Sequence, residues 1–371
     1  MGSQKQTIVI SAVNLYKGGP FTILLEVLNA LETNFSDKYQ IISLVHKKSL
    51  FPEYQNIQLL EFPKSRSSWL MHIYYEYYYF KKAYSYLNPF LWLSLHDITP
   101  NVKAKRRAVY CHNASPFYKA SFKDAYCEPS FYLFNKFYLK LYRKNILKND
   151  FVIVQQEWLR KEFHNHLKIK LSKIIIAHPE IKLNTIPFDK RKENNHTGTY
   201  TFFYPALPRV FKNFEIILKA SLLLQKRGIT NFQILLTIDG SENKFSKKIA
   251  KKCQYISLIK LIGLQHKNEM DQLYQNTDCL LFPSKLETWG LPISEAKLYK
   301  KPMIIADLPY AKETAGQYEK VCFFNPNDEV ELANKMEDLI LQRYIFSSTN
   351  YTPPAGLVAE SWIEMFNYLL N

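Results

Sequence analysis

The sequence predicts an α/β protein of two doubly wound domains, and three observations carry that expectation. Short apolar runs alternate with amphipathic stretches of about 10–20 residues, the pattern of parallel strands joined by crossover helices. The alternation breaks once, over residues 178–199, where Pro179, Pro187 and several Asn interrupt it, and then restarts. The chain has 371 residues, enough for two domains of roughly 150 residues each.

The elements follow in order. In the first half, residues 7–13 read as a strand and 21–31 as a helix. Strands at 40–45 and 57–62 come next, then one Tyr-laden helix over 69–87. Strands at 91–95 and 108–111 precede a helix at 131–147, a strand at 151–154, a helix at 157–167 and a strand at 173–177. The second half has strands at 200–204, 232–238, 258–262, 279–282 and 303–306. Helices at 213–225, 244–252, 267–275 and 291–298 lie between them, and 328–341 and 359–369 close the chain. The reading places a first domain at 1–177, a linker at 178–199 and a second domain at 200–345. Residues 346–371 are expected to hold a helix packing back toward the first domain. Open parallel sheets bind ligands beyond the carboxyl ends of their strands, so the site is expected in a cleft between the two domains.

Composition narrows the class. Hydrophobic residues make up 47% and charged residues 22%, which argues against disorder and against small disulfide scaffolds. The five Cys are scattered and form no C-x-x-C, so a reducing compartment fits. No apolar run reaches the ~18 residues of a membrane span, and no secretory signal is expected. Net charge is +16, and residues 1–175 hold 25 Lys and Arg against 12 Asp and Glu. With 26 Tyr and 25 Phe, a basic aromatic first half points to an anionic surface, or to nothing more than a solvated basic face. Lys103, Lys105, Arg106 and Arg107 form its densest cluster, beside the Tyr-rich stretch from Tyr74 to Tyr86. No nucleic-acid recognition motif appears, so nucleic acid is not an expected partner.

Four motifs carry chemistry. Gly18 and Gly19, just after the first strand, allow a tight turn into a helix whose free N–H groups suit a phosphate or a sugar hydroxyl; a plain strand-to-helix turn reads from them equally. His96 and His112 each follow an apolar strand, where imidazole can bond a sugar hydroxyl or an anion, though a lone His is as often structural. Neither H-E-x-x-H nor H-x-H is present, so no metal is expected. Arg209 and Lys212 stand just before a helix, and two cations with helix N–H groups make a diphosphate clamp. Glu287-Thr-Trp-Gly-Leu-Pro-Ile-Ser-Glu295 is the most specific motif. It sets one carboxylate on a loop and one in the first turn of a helix, each able to accept from paired hydroxyls, with Trp289, Gly290 and Leu291 between them.

This E-x7-E segment, with Phe-Pro-Ser-Lys-x-Glu-Thr-Trp-Gly-Leu-Pro around it, resembles glycosyltransferase family 4, of the GT-B fold with two Rossmann-like domains facing across a cleft. The resemblance spans Gly18-Gly19, Arg209/Lys212 and Glu287–Glu295, and is strongest over 200–340. It departs at His178-Pro179-Glu180, where the family commonly has Asn-Gly, and at Thr237–Gly240, where a Gly-x-Gly turn is common. It implies a retaining, metal-independent transferase of hexosyl or N-acetylhexosaminyl type, using a UDP- or GDP-sugar and no cofactor. By resemblance, Glu287 contacts the donor sugar, Glu295 the ribose, and Arg209 and Lys212 the diphosphate. His112 lies near the transferred sugar, with His96 competing for that role. The expected acceptor is a lipid-linked saccharide, in bacterial surface polysaccharide (O-antigen or capsule) synthesis. The expected location is cytoplasmic, peripheral on the inner face of the cytoplasmic membrane. A nucleotide-sugar epimerase of the same fold, or a non-catalytic membrane or nucleic-acid binder, are the alternatives.

Overall fold

The computed structural model describes residues 5–179, 198–348 and 351–371. Most of the expected linker, 180–197, lies outside the described residues. The chain divides into two compact units.

The first unit takes residues 1–117, 135–180 and 354–371. Its strands are β1 (Gln6–Ala12), β2 (Tyr39–Val45), β3 (Ile57–Glu61), β4 (Leu91–Ser94), β5 (Arg106–Tyr110), β6 (Phe151–Val154) and β7 (Ile174–Ala177). They pair in parallel in the order β7-β6-β5-β4-β1-β2-β3, and the short strand Val358–Ala359 adds to the free edge of β7. Alternate residues of β1 face opposite layers. Ile8, Ile10 and Ala12 pack among the helices Gly18–Asn34 and Trp362–Leu370, while Val9 packs against Phe62, Phe80 and Trp92. Burial on both faces is why these strands read as unbroken apolar runs. The terminal helix is fastened at both ends: Trp362 Nε1 donates to Glu26 at 3.1 Å, and Arg106 donates to the carbonyls of Leu369 (3.1 Å) and Asn371 (2.7 Å).

The second unit takes residues 118–134 and 181–353. Its strands are β8 (Tyr200–Tyr204), β9 (Phe232–Leu236), β10 (Ile259–Leu261), β11 (Cys279–Phe282), β12 (Met303–Ala306) and β13 (Val321–Phe324), all parallel, in the order β10-β9-β8-β11-β12-β13. Strand order reverses between β1 and β4 in one unit and between β8 and β11 in the other. Both are the switch points of a doubly wound sheet.

Two expectations need correction. The helix expected over 69–87 is not uniform: an α-turn at Trp69–Tyr74 widens into a π-turn at Tyr75–Tyr79, then gives way to Phe80–Ala83 and a 3-10 turn. The wider turn lets Glu76 and Tyr77 point inward while Tyr74 and Tyr78 stay exposed. Helices at Phe122–Cys127 and Pro309–Ala315 went unread; each is under eight residues, too short for a visible period.

Candidate active site

In the second unit, β8 and β11 lie side by side where the strand order reverses, so the loops that follow them leave the sheet together. Two hydrogen bonds tie those loops, and a third ties them to the loop after β13. Lys285 N–H donates to the Phe211 carbonyl at 2.7 Å, and the Asn213 amide donates to the carbonyls of Pro283 (3.2 Å) and Pro326 (2.8 Å). Asn213 takes a left-handed φ of 59°, which Asn tolerates better than most residues. Gly290 takes φ 86°, and a Cβ there would sit 3.3 Å from Ile293 Cδ1 and 3.4 Å from the Tyr310 ring. Glycine is therefore required where the chain turns into the helix Leu291–Leu298. Leu291 is the first residue of that helix, so its end and its unpaired N–H groups sit at the switch point.

The charged side chains gather here. Lys212 and Glu287 form an ion pair, each side chain only 15% exposed, and the Lys212 ammonium also lies 5.6 Å from the Phe282 ring. Tyr204 O–H donates to the Lys212 carbonyl at 2.7 Å and fixes the backbone beneath. Arg209 is held by Glu128, a residue the sequence reading did not single out. Trp289 Nε1 donates to Ser294 Oγ at 2.9 Å, and the Trp289 carbonyl accepts from Thr314, so the loop around Gly290 is braced from two sides. Glu295 falls at the fifth helical residue, in the second turn. The expectation of a first-turn position is corrected: the helix opens at Leu291 as expected, but at about 3.6 residues per turn its first turn is complete before Glu295. Tyr274 O–H donates to Glu295 at 2.6 Å, and Tyr274 stacks on Tyr299 at 5.4 Å. Burial raises the Glu295 pKa, against the lowering effect of the Tyr274 hydrogen bond.

In the first unit, Gly18 opens its helix with φ 71° and open space where a Cβ would stand. His96 does not face solvent. It is 2% exposed, 3.0 Å from Glu76 Oε1 and 3.2 Å from Ser11 Oγ. Burial alone would lower its pKa, but the Glu76 carboxylate outweighs it and the net shift is upward. The reading of His96 as a phosphate- or acceptor-facing group is therefore corrected: the inward Glu76 claims it as an ion-pair partner. His72 packs edge-on against it at 4.9 Å, and one ligand atom from each of His72, Glu76 and His96 lies within 4.8 Å of the others. This is the one group among the described residues with the geometry to admit a metal ion, and it lies at the buried end of the first switch point, away from Arg209 and Lys212 in sequence and unit.

His112 stays closer to the surface as a residue, with both ring nitrogens buried and without a well-formed hydrogen bond. Burial pushes its pKa down to about 4, so its ring is neutral at pH 7. Its backbone is pinned by Asp97, which accepts from the N–H groups of His112 (2.6 Å) and Asn113 (3.1 Å) and from the hydroxyls of Tyr138 (3.0 Å) and Tyr142 (2.9 Å). Asp97, Tyr138 and Tyr142 were not singled out from the sequence either. The structure thus brings Arg209, Lys212, Glu287, Trp289, Gly290 and Leu291 to one switch point, with Glu295 one turn deeper. Gly18 and His96 follow β1 and β4 at the other, and His112 follows the neighbouring strand β5. A cavity of about 360 Å³ opens beside the 209–213 loop, lined by Tyr118, Asp124, Asn213, Lys285 and Asn327 among others, and it takes in none of the site residues expected from the sequence.

Residues 185–350 match the family of glycosyl transferases group 1. The serotype-specific mannosyltransferase WbdA of Escherichia coli is 36% identical over 81 residues, a match covering 21% of this chain and 10% of that protein. Over nearly the whole chain the fold is that of solved glycosyltransferases. The lipopolysaccharide outer core galactosyltransferase WaaB superposes with a TM-score of 0.62 at 14% identity, covering 92% of each chain. Alr3699/HepE of Anabaena, solved in complex with UDP-glucose, does so with 0.63 at 14% identity over 91% of each. At such identities the likeness is one of fold, and that fold is GT-B. Two parallel α/β sheets of that fold and a group 1 glycosyl transferase match over residues 185–350 are thus what this chain shares with known proteins.

Proposed function

We propose that this chain is a retaining glycosyltransferase that moves a hexosyl or N-acetylhexosaminyl group from a UDP- or GDP-sugar to a lipid-linked saccharide, in bacterial surface polysaccharide (O-antigen or capsule) synthesis. The observation that carries the reading is the second switch point, where Arg209, Lys212 and the end of the Leu291–Leu298 helix converge beside Glu287. Cations and helix N–H groups set in advance stabilise the negative charge that develops on a departing nucleoside diphosphate. Glu287 accepts from a hydroxyl of the donor sugar, and Glu295 is assigned to the ribose. His112 is assigned to the neighbourhood of the transferred sugar and, neutral at pH 7, adds no charge there. The names of the relatives agree in class: a mannosyltransferase, a lipopolysaccharide galactosyltransferase and a protein that binds UDP-glucose.

The test is a panel of UDP- and GDP-sugars with and without saccharide-lipid acceptors, each run with and without EDTA. We expect acceptor-dependent transfer from one donor with its anomeric configuration kept, and the same rate in EDTA. Loss of activity in EDTA restored by magnesium or manganese would sink metal independence; an epimerised sugar formed without acceptor would mark the epimerase instead.

We also propose that the first unit docks on an anionic membrane from the cytoplasmic side. No helix among the described residues is long and apolar enough to cross a membrane. Tyr74, Tyr78 and Tyr86 are 47%, 66% and 75% exposed, and their rings suit the headgroup level. Within the basic cluster, Arg106 is engaged by the terminal helix, so Lys103 and Lys105 are the exposed cations. Each contributes about 1 kcal/mol near an anionic surface. Co-sedimentation should appear with anionic vesicles, fall in high salt, and weaken when Lys103 and Lys105 become Gln. Equal binding to neutral vesicles, or none to either, would remove the claim.

A further inference from the structure

We propose that Glu128 is a positioning residue for Arg209, holding one edge of its guanidinium so that the two terminal nitrogens face the donor diphosphate. The proposal rests on the donor-site reading above and adds a residue that lies far from the E-x7-E segment in sequence.

Three contacts fix the guanidinium. Glu128 Oε1 accepts from Arg209 Nε at 3.0 Å, and Glu128 Oε2 accepts from the Val210 N–H at 2.9 Å. One carboxylate thus binds the side chain and the backbone of consecutive residues. The rings of Phe131 and Phe211 lie 5.1 Å and 5.5 Å from the guanidinium carbon and 5.2 Å from each other. Among the described residues, Glu128 is the only hydrogen-bond partner of the Arg209 side chain, and it uses Nε alone. The planar fork keeps its two terminal nitrogens for a ligand, and it is the fork that recognises phosphate oxygens in pairs.

Exposure runs the same way. The Arg209 side chain is 42% exposed and that of Glu128 only 14%. The anchor is enclosed and the working group is open. Glu128 itself is set by a helix joint: it ends the helix Phe122–Cys127, its N–H donates to Asp124 O at 2.8 Å, and Pro129 starts the next helix. Phe131 follows two residues on, so one joint supplies both the carboxylate and a ring. An arginine held by its Nε edge loses less conformational freedom when it meets a ligand, which is the physical gain from a supporting residue.

The experiment is a double-mutant cycle read by calorimetric binding of the nucleoside diphosphate (UDP or GDP) and of the bare nucleoside. Glu128→Ala should weaken the diphosphate about tenfold and leave the nucleoside unchanged, the scale of one charge-assisted contact. Glu128→Gln, which keeps an acceptor for the Val210 N–H, should fall between wild type and Ala. In the Arg209→Ala background, Glu128→Ala should add nothing further. If Arg209→Ala alone leaves diphosphate binding intact, the donor-site reading fails and takes the proposal with it. If Arg209→Ala weakens binding but Glu128→Ala does not, or tightens it, the positioning role is wrong and Glu128 is at most a competitor for the site. A Glu128→Ala loss that persists in full without Arg209, or that extends to the nucleoside, would show that it acts through the fold and would equally overturn the proposal.

Discussion

Glu287→Ala is expected to lower kcat by about two to three orders of magnitude, the loss typical of removing one preorganised partner of the transition state. Glu287 stands at the second switch point with its carboxylate on Lys212, and both side chains are mostly enclosed. Taking the carboxylate away removes an acceptor for a sugar hydroxyl. It also strands the Lys212 ammonium, whose remaining neighbours are the Phe211 and Phe282 rings. A stranded cation costs stability as well as rate, so melting is measured beside turnover. Glu287→Gln separates the two effects: it keeps an acceptor and loses the ion pair. Glu295→Ala should behave differently. Its carboxylate accepts from Tyr274 one turn deeper, so the change should mainly raise the donor KM. Wild-type kcat in Glu287→Ala, on a donor that the protein turns over, would remove this carboxylate from the site.

Acid is expected to unfold the protein well above the range in which ordinary carboxylates titrate. Burial holds His72, His112 and His178 each at a pKa of about 4. Around His72, the nearby His96 pushes the same way while Glu76 opposes; around His112, Asp97 opposes and His96 adds. The unfolded chain takes up these protons near pH 6.5. Below that value it binds more protons than the folded chain, so stability is full above pH 6.5 and falls as pH drops toward 4. Each group contributes about 1.4 kcal/mol per pH unit within that window, so the three together reach roughly 4 kcal/mol per unit near pH 5. His96 has the opposite sign. Its raised pKa stabilises the fold below 6.5, and that contribution is lost as pH rises through its folded value. Urea melts from pH 8 to 4.5 should show a steep loss of stability below 6.5; a flat profile from 7 to 4.5 would mean that these rings are hydrated.

The sheets were legible because their strands are buried on both faces. Residues 8–12 and Met303–Ala306 are short, unbroken buried runs followed by turn residues, which is how an interior parallel strand reads. The loop ends were legible for a related reason. A Gly or a charged residue just after such a strand lies at the sheet's carboxyl edge, and that edge is where Arg209, Glu287 and Gly290 are found. What stayed hidden are partners chosen by tertiary contact. Glu128 sits 81 residues from Arg209, and Asp97 lies 41 and 45 residues from Tyr138 and Tyr142. No local period encodes such distances. His96 and His112 show the same limit: both follow apolar strands, but only the π-turn that swings Glu76 inward makes His96 a buried ion-pair partner.

The edge strand Val358–Ala359 has a consequence for how the chain comes to be folded. The first unit is assembled from three separated segments, and Trp362, Met365, Phe366 and Leu369 complete its core. Translation delivers that piece only after the residues of the second unit have been made. The second unit can therefore close while its neighbour still shows an open β7 edge and an uncovered apolar layer. The emergence of residues 358–370, rather than of residue 177, sets the moment at which the first sheet is sealed. Until then the nascent chain carries an unpaired strand edge that a holding chaperone would recognise.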